Sequence, residues 1–261
     1  MPLSTEAVLE LMQSVAAEVI TPRFRSLVDS QIDEKKPGDL VTVADREAEA
    51  LLTKALLDAY PDAVVLGEEA FHDDADLLPR FRAADHGFSV DPVDGTKNFV
   101  NGSPDHAVMI SEVVSGETVR GWIWQPEHET AWVAEHGAGV RRNGEPVVRE
   151  PASDQPQGAT SIWSRRGRQP EGLPALIGSW LCCGIDYPQL IDGAADYLLY
   201  GHTFPWDHLP GTLMVREAGG AAAHRDGTPY DARSTQPGLV VACDAPTLDR
   251  ALLACEGLWP K

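Results

Sequence analysis

The stretch SVDPVDGTKNFVNGSPDH, Ser89 to His106, sets Asp91 and Asp94 close together directly after an apolar run. Carboxylates gathered without lysine or arginine partners repel and raise one another's pKa unless a cation sits among them. Hard divalent ions such as Mg2+ prefer oxygen ligands and keep several waters, so one or two carboxylates per ion suffice. Pro92 restrains the turn and holds Asp91 extended, which lets Asp91 and Asp94 face a common point. Gly95 permits close backbone approach, and the amides of Gly95 and Thr96, opening a following turn or helix, are placed to receive a phosphate oxygen. Two further acidic features fall where an ordered segment changes type: Glu68 and Glu69 after VVL, and Asp207 after FPW. Singly, each has an ordinary reading, Asp207 as an N-cap, Thr42 with Asp45 as a capping pair, Glu68 and Glu69 as a solvated loop. Only their joint arrangement argues for a metal and phosphate site.

The elements that must position these groups follow from periodicity. Val8, Met12, Val15, Ala16 and Val19 predict a first helix after Ser4 or Thr5, ending near Pro22. A polar loop, DEKKPGD, comes next. From Thr42, with Asp45 three residues on, Ala48, Leu51, Leu52, Ala55 and Leu56 mark a second helix stopping at Pro61. Strand character is expected over 63–69, 87–92, 106–114, 118–125 and 129–137, the last three as an antiparallel meander. The segment from Pro151 to Pro174, rich in proline, glycine, serine and arginine, reads as a connection between an N-terminal half, 1–150, and a C-terminal half, 151–261, of one compact catalytic unit. Beyond it the pattern predicts helices over Asp186 to Leu199 and Asp207 to Ala218, a strand at GLVVAC and a terminal helix from Pro246. Layers of this kind indicate an α/β protein of α+β type, an α-β-α-β-α sandwich with mixed, largely antiparallel sheets.

Composition narrows the partners. The chain of 261 residues has 43% hydrophobic and 23% charged residues, ordinary for a globular protein. Its 21 basic residues against 40 acidic ones give a net charge of -19, which disfavours nucleic acid and anionic membranes. The first 25 residues carry glutamates within the apolar pattern and do not read as a signal peptide, and no stretch reads as a transmembrane span. Cys182, Cys183, Cys243 and Cys255 form no regular framework, which suggests reduced thiols in the cytoplasm. His106, His202 and His208 lie near motif ends, but without HxE or HExxH spacing they read as structural or rim histidines rather than zinc ligands. Trp206 is expected to pack beneath the site, and Trp163, Arg165 and Arg166 to lie on the connection, its arginines on solvated surface.

DPVDGTKNF, together with GEE, DLVTVAD and WDHLPGTLMVREAGG, resembles the inositol monophosphatase family of Mg2+-dependent, often lithium-sensitive phosphatases. The resemblance runs from about Val8 to about Cys243, with motif order and spacing both in agreement. It implies an inositol monophosphatase/fructose-1,6-bisphosphatase-like fold. It further implies that Glu68, Asp91 and the carbonyl of Val93 bind a first Mg2+, and that Asp91, Asp94 and Asp207 bind a second, with a third, weaker ion near Glu68. Mn2+ is an alternative ion and Li+ an inhibitor. Asp45, Thr96 and Glu68 are then the catalytic set for metal-activated water attack, while Asp94, Gly95, Thr96, Lys97, Tyr200 and Asp207 face the substrate.

The implied activity is hydrolysis of a small phosphorylated metabolite, inositol-1-phosphate or a related polyol phosphate leading. A 3'(2'),5'-bisphosphate nucleotidase and a histidinol-phosphatase stand as alternatives, and a regulatory binding protein as the non-enzymatic one. A homodimer is also implied. Two departures bear on the substrate: Tyr200 stands where many members carry a glutamate that contacts the substrate ring, and Leu181-Cys182-Cys183 stands where they carry a Gly-Ser-Ala type of stretch.

Overall fold

The structure, a computed structural model, describes residues 2–36 and 39–259. Helix α1 (Thr5–Val15) starts where the Ser4 hydroxyl accepts the Ala7 amide, and it continues through a π turn, Ala16–Ile20, to a tight turn at Pro22. The DEKKPGD segment is not a plain loop. Ile32–Lys36 and Asp39–Thr42 pair antiparallel as β1 and β2, while Pro37 and Gly38 lie outside the described residues. Helix α2 (Val43–Ala59) begins with the expected reciprocal cap between Thr42 and Asp45. Its buried stripe includes Ala48, Leu52 and Leu56, whereas Leu51, predicted inside, is 37% exposed because the stripe turns past it.

Seven strands, β3 (Val64–Gly67), β4 (His86–Asp94), β5 (Ala107–Val114), β6 (Glu117–Gln125), β7 (Thr130–Glu135), β8 (Gly139–Arg142) and β9 (Glu145–Pro146), form one sheet in sequence order. Only the β3–β4 pair is parallel. Between β3 and β4 lie two short helices absent from the sequence reading, α3 (Glu68–Asp73) and α4 (Leu77–Ala83), so the GEE motif is a strand-to-helix junction. α5 (Thr96–Val100) follows β4.

A second sheet holds β10 (Gly158–Thr160), β11 (Ile177–Gly178), β12 (Tyr197–Tyr200), β13 (Ala221–His224) and β14 (Leu239–Ala242), in the order β11-β10-β12-β14-β13. The 151–174 segment therefore supplies a strand, β10, as well as connecting chain. α6 (Cys183–Ile191) ends earlier than predicted. Gly193, at φ +89°, turns the chain, and the run Tyr197 to Tyr200 pairs with β10 and β14 as a strand instead of prolonging the helix. α7 (Pro205–Glu217) and α8 (Ala245–Ala254) complete the set.

Strand alternation builds the layers. Val65, Phe88, Val90, Val108, Ile110 and Trp122 pack on Val8, Met12, Leu52 and Leu56 of α1 and α2. Their neighbours Leu66, Met109 and Ile123 turn to the other face, against Tyr187, Leu209 and Leu213 of α6 and α7 and against Leu198 and Val241 of the second sheet. The far face of that sheet, Tyr197, Leu199, Val240 and Ala242, packs on Leu248 and Ala251 of α8. The order is α-β-α-β-α, as the alternation of elements predicts.

Candidate active site

Five element junctions meet at the carboxylates. Asp91 pairs with Met109 and Asp94 with Ala107, so three steps on β4 oppose two on β5, and the extra residue is a bulge at Pro92 and Val93. Three steps along a regular strand would point the two aspartates to opposite faces; the bulge returns them to one side. Gly95, at φ +81°, then turns the chain into α5. On the facing junction Asp94 Oδ2 accepts the Gly184 amide at 2.5 Å and the Cys182 thiol at 2.9 Å. Asp207 enters from the first turn of α7, and ligand atoms of Asp94, Cys183 and Asp207 lie within 4.8 Å of one another.

Burial makes this grouping costly. Asp91 is 1% exposed, and one of its oxygens accepts the Val93 amide at 3.1 Å. Burial, then the fields of Glu68, Asp94, Asp207 and Asp45, pushes its pKa well above the ordinary carboxylate range. Asp94 is raised to about 6, burial outweighing the hydrogen bonds from Cys182 and Gly184. Among the described residues no lysine, arginine or histidine pairs with Asp91 or Asp94. Such a donor set, oxygen-rich, buried and lacking its own counter-charge, fits a hard divalent cation.

Beside it stand Asp45 and Thr96, joined by a hydrogen bond. Asp45 is 1% exposed and accepts the Thr42 amide at 2.9 Å and the Thr42 hydroxyl at 2.5 Å. The Thr96 hydroxyl lies 3.0 Å from both Asp45 Oδ1 and the Val93 carbonyl, so its one proton has two acceptors. Burial raises Asp45 to about 6 against the pull of its Thr42 hydrogen bonds.

Two groups here escaped the sequence reading. The Lys35 ammonium, from β1, lies 2.7 Å from Glu68 Oε1 and 2.7 Å from Glu69 Oε1, with its side chain largely buried. Burial alone would lower its pKa, but the two glutamates hold it above the usual lysine range. Glu49, on α2, accepts the Glu69 and Ala70 amides at 2.8 Å each and so caps α3. Burial raises it to about 7. The signal was Gly67: a Cβ there would sit 2.2 Å from the Glu49 carboxyl carbon. Gly67→Ala should therefore expel Glu49, uncap α3 and displace Glu68, costing roughly 1–3 kcal/mol in denaturant titrations. A variant of unchanged stability would show that Glu49 is not held there.

Asp94, Lys97, Ser161, Trp163, Cys183, Asp186, Tyr200, His202 and Asp207 line one cavity of about 410 Å3. Lys97 thus borders the same space as the carboxylates although it is exposed. Tyr200 is buried and donates to Asp186 Oδ2 at 3.2 Å, while the Trp180 amide donates to Oδ1 at 2.7 Å. Burial lifts Asp186 to about 7. His208 is structural: its nitrogens lie 2.9 Å from the Tyr187 hydroxyl and 3.0 Å from the His202 carbonyl, and burial lowers it to about 3. His106 packs between Phe24 and Phe99. Trp206, expected to pack beneath the site, is buried with its ring 4.7 Å from Phe204 and 5.2 Å from Phe71.

The family model described as the inositol monophosphatase family matches residues 4–255. A Thermotoga maritima relative called fructose-1,6-bisphosphatase/inositol-1-monophosphatase is 30% identical over 212 residues, covering 77% of this chain and 78% of its own. An inositol-1-monophosphatase of Rhizobium meliloti is 29% identical over 242 residues, covering 86% of this chain and 88% of its own. In fold, a solved Thermotoga maritima IMPase superposes with a TM-score of 0.78 at 24% identity, covering 94% of each chain.

Proposed function

The chain belongs to the inositol monophosphatase family, whose members are phosphatases acting on phosphomonoesters, and we propose that it is a Mg2+-dependent enzyme acting on a small polyol phosphate, inositol-1-phosphate first. The observation that carries this reading is the buried, uncompensated pair Asp91 and Asp94 with Asp207 beside it, Asp94 and Asp207 bordering a cavity that also meets Lys97. Glu68, Asp91 and the Val93 carbonyl would hold one ion, and Asp91, Asp94 and Asp207 a second. When bound, the ions supply positive charge that makes water more acidic and offsets charge on the phosphate and leaving oxygen.

The protein's own groups do the rest. The attacking water passes its proton to Thr96 Oγ1, which hands its own to Asp45 Oδ1 across their 3.0 Å contact. An Asp45 raised to about 6 by burial suits a base working near neutral pH. The Gly95 and Thr96 amides orient the phosphate oxygens, and Lys97 adds charge at the cavity rim. Asp186 and Tyr200, joined by their hydrogen bond, supply the wall that meets the alcohol portion.

The test is phosphate release, with Mg2+, from a panel of inositol, sugar, nucleotide and amino-alcohol phosphates that includes fructose-1,6-bisphosphate. Polyol phosphates should lead, and millimolar Li+ should inhibit. Release from no member of the panel would overturn the enzyme reading, and full activity in Li+ would count against the ligand assignment.

A further inference from the structure

The wall of the site facing Asp94 and Asp207 is not all oxygen. Cys183 opens α6, and its Sγ shares the 4.8 Å grouping with those two carboxylates. Zinc bonds of about 2.3 Å to sulfur and about 2.1 Å to oxygen set tetrahedral donors about 3.4–3.6 Å apart, so side-chain shifts of about 1 Å bring all three onto a single ion. The adjacent thiol plays a different part, since Cys182 donates to Asp94 Oδ2, as the Gly184 amide does, and so fixes that carboxylate. A separate observation points to a cation here. Asp91 is fully buried next to Asp94, and among the described residues neither has a cationic side chain as partner.

A set made only of carboxylates and carbonyls suits Mg2+, whereas a thiolate among them favours softer ions. We propose that Asp94, Cys183 and Asp207 form a mixed oxygen–sulfur site that takes a thiophilic divalent cation, of the Zn2+ or Cd2+ class, in competition with Mg2+. The proposal rests on the reading that these carboxylates hold divalent ions. On binding, the Cys183 S–H bond breaks, its proton goes to solvent, the sulfur–metal bond forms and no oxidation state changes. The softer ion would occupy the carboxylates needed for turnover, so the site would make this phosphatase sensitive to thiophilic metals.

The experiment is a titration of Cd2+ into the full chain, followed by ultraviolet sulfur-to-cadmium charge-transfer absorption and by calorimetry, with Zn2+ and Mg2+ run in parallel. One equivalent of Cd2+ should raise the band, Zn2+ should displace it, and Cys182→Ser should keep it. Cys183→Ser should abolish it and weaken Zn2+ binding at least ~10-fold, the lower end of what loss of even an outer-shell partner costs. Should that variant fail to fold, the native spectrum and Cys183→Ala decide. No band in the native protein, or a band that survives loss of the Cys183 thiol, overturns the proposal. Mg2+ binding without a sulfur band overturns this inference alone, whereas no binding of any divalent ion removes the proposed function as well.

Discussion

Asp94→Asn should lower phosphate release by at least ~10²–10³-fold, the scale on which removal of one group stabilising transition-state charge is felt, while leaving the fold intact. The asparagine carbonyl can still accept the Gly184 amide and the Cys182 thiol, and its volume matches that of aspartate. What it removes is one negative charge from a buried set in which Asp91 already feels Glu68, Asp94 and Asp207. In the absence of divalent ions the variant should therefore melt higher than the parent, and in excess Mg2+ it should melt little differently. Thermal melts with and without EDTA, beside the activity assay, separate the two roles: a variant that loses its fold along with its activity would make Asp94 a structural residue.

The parts of this site that were legible in the sequence are those set by local geometry. Thr42 and Asp45 are three residues apart and cap one helix; Asp91 to Thr96 is a single bulge and turn. Asp207 follows the Phe-Pro-Trp run that starts α7. What escaped notice depends on distant chain. Lys35 reaches Glu68 only because β1 and β2 form a hairpin, and Glu49 is 20 residues from the amide it caps. The run ADYLLY carries apolar residues that suit either helix or strand, and only the partners β10 and β14 select the strand. Tyr200 was placed by that outcome: at the end of a strand it turns its hydroxyl to Asp186, which a helical residue there need not do.

Stripped of divalent ions, the protein should become more stable as pH falls from about 7.5 to about 5.5, the reverse of ordinary acid weakening. Glu49, Glu69 and Asp186 are each raised by burial to about 7, against about 4 in an unfolded chain. Between those values the folded state holds protons that the unfolded state has released, so stability is full at the lower end and is lost as pH rises through 7. Over the two-unit fall, each such carboxylate contributes about 2 kcal/mol. Two buried histidines oppose this: His106 and His208, lowered by burial to about 4 and about 3, stay neutral in the folded state while their unfolded counterparts gain a proton. Each costs about 1.4 kcal/mol over the same interval. Three carboxylates outweigh two histidines, and at about 2–4 °C per kcal/mol for a chain of this size the melt should rise by several degrees. Asp186→Asn, whose carbonyl still meets the Trp180 amide, should flatten the profile by its own share. A metal-free melting temperature that climbs with pH across this window would mean that these carboxylates are ionised in the folded protein, and that some other charge already compensates them.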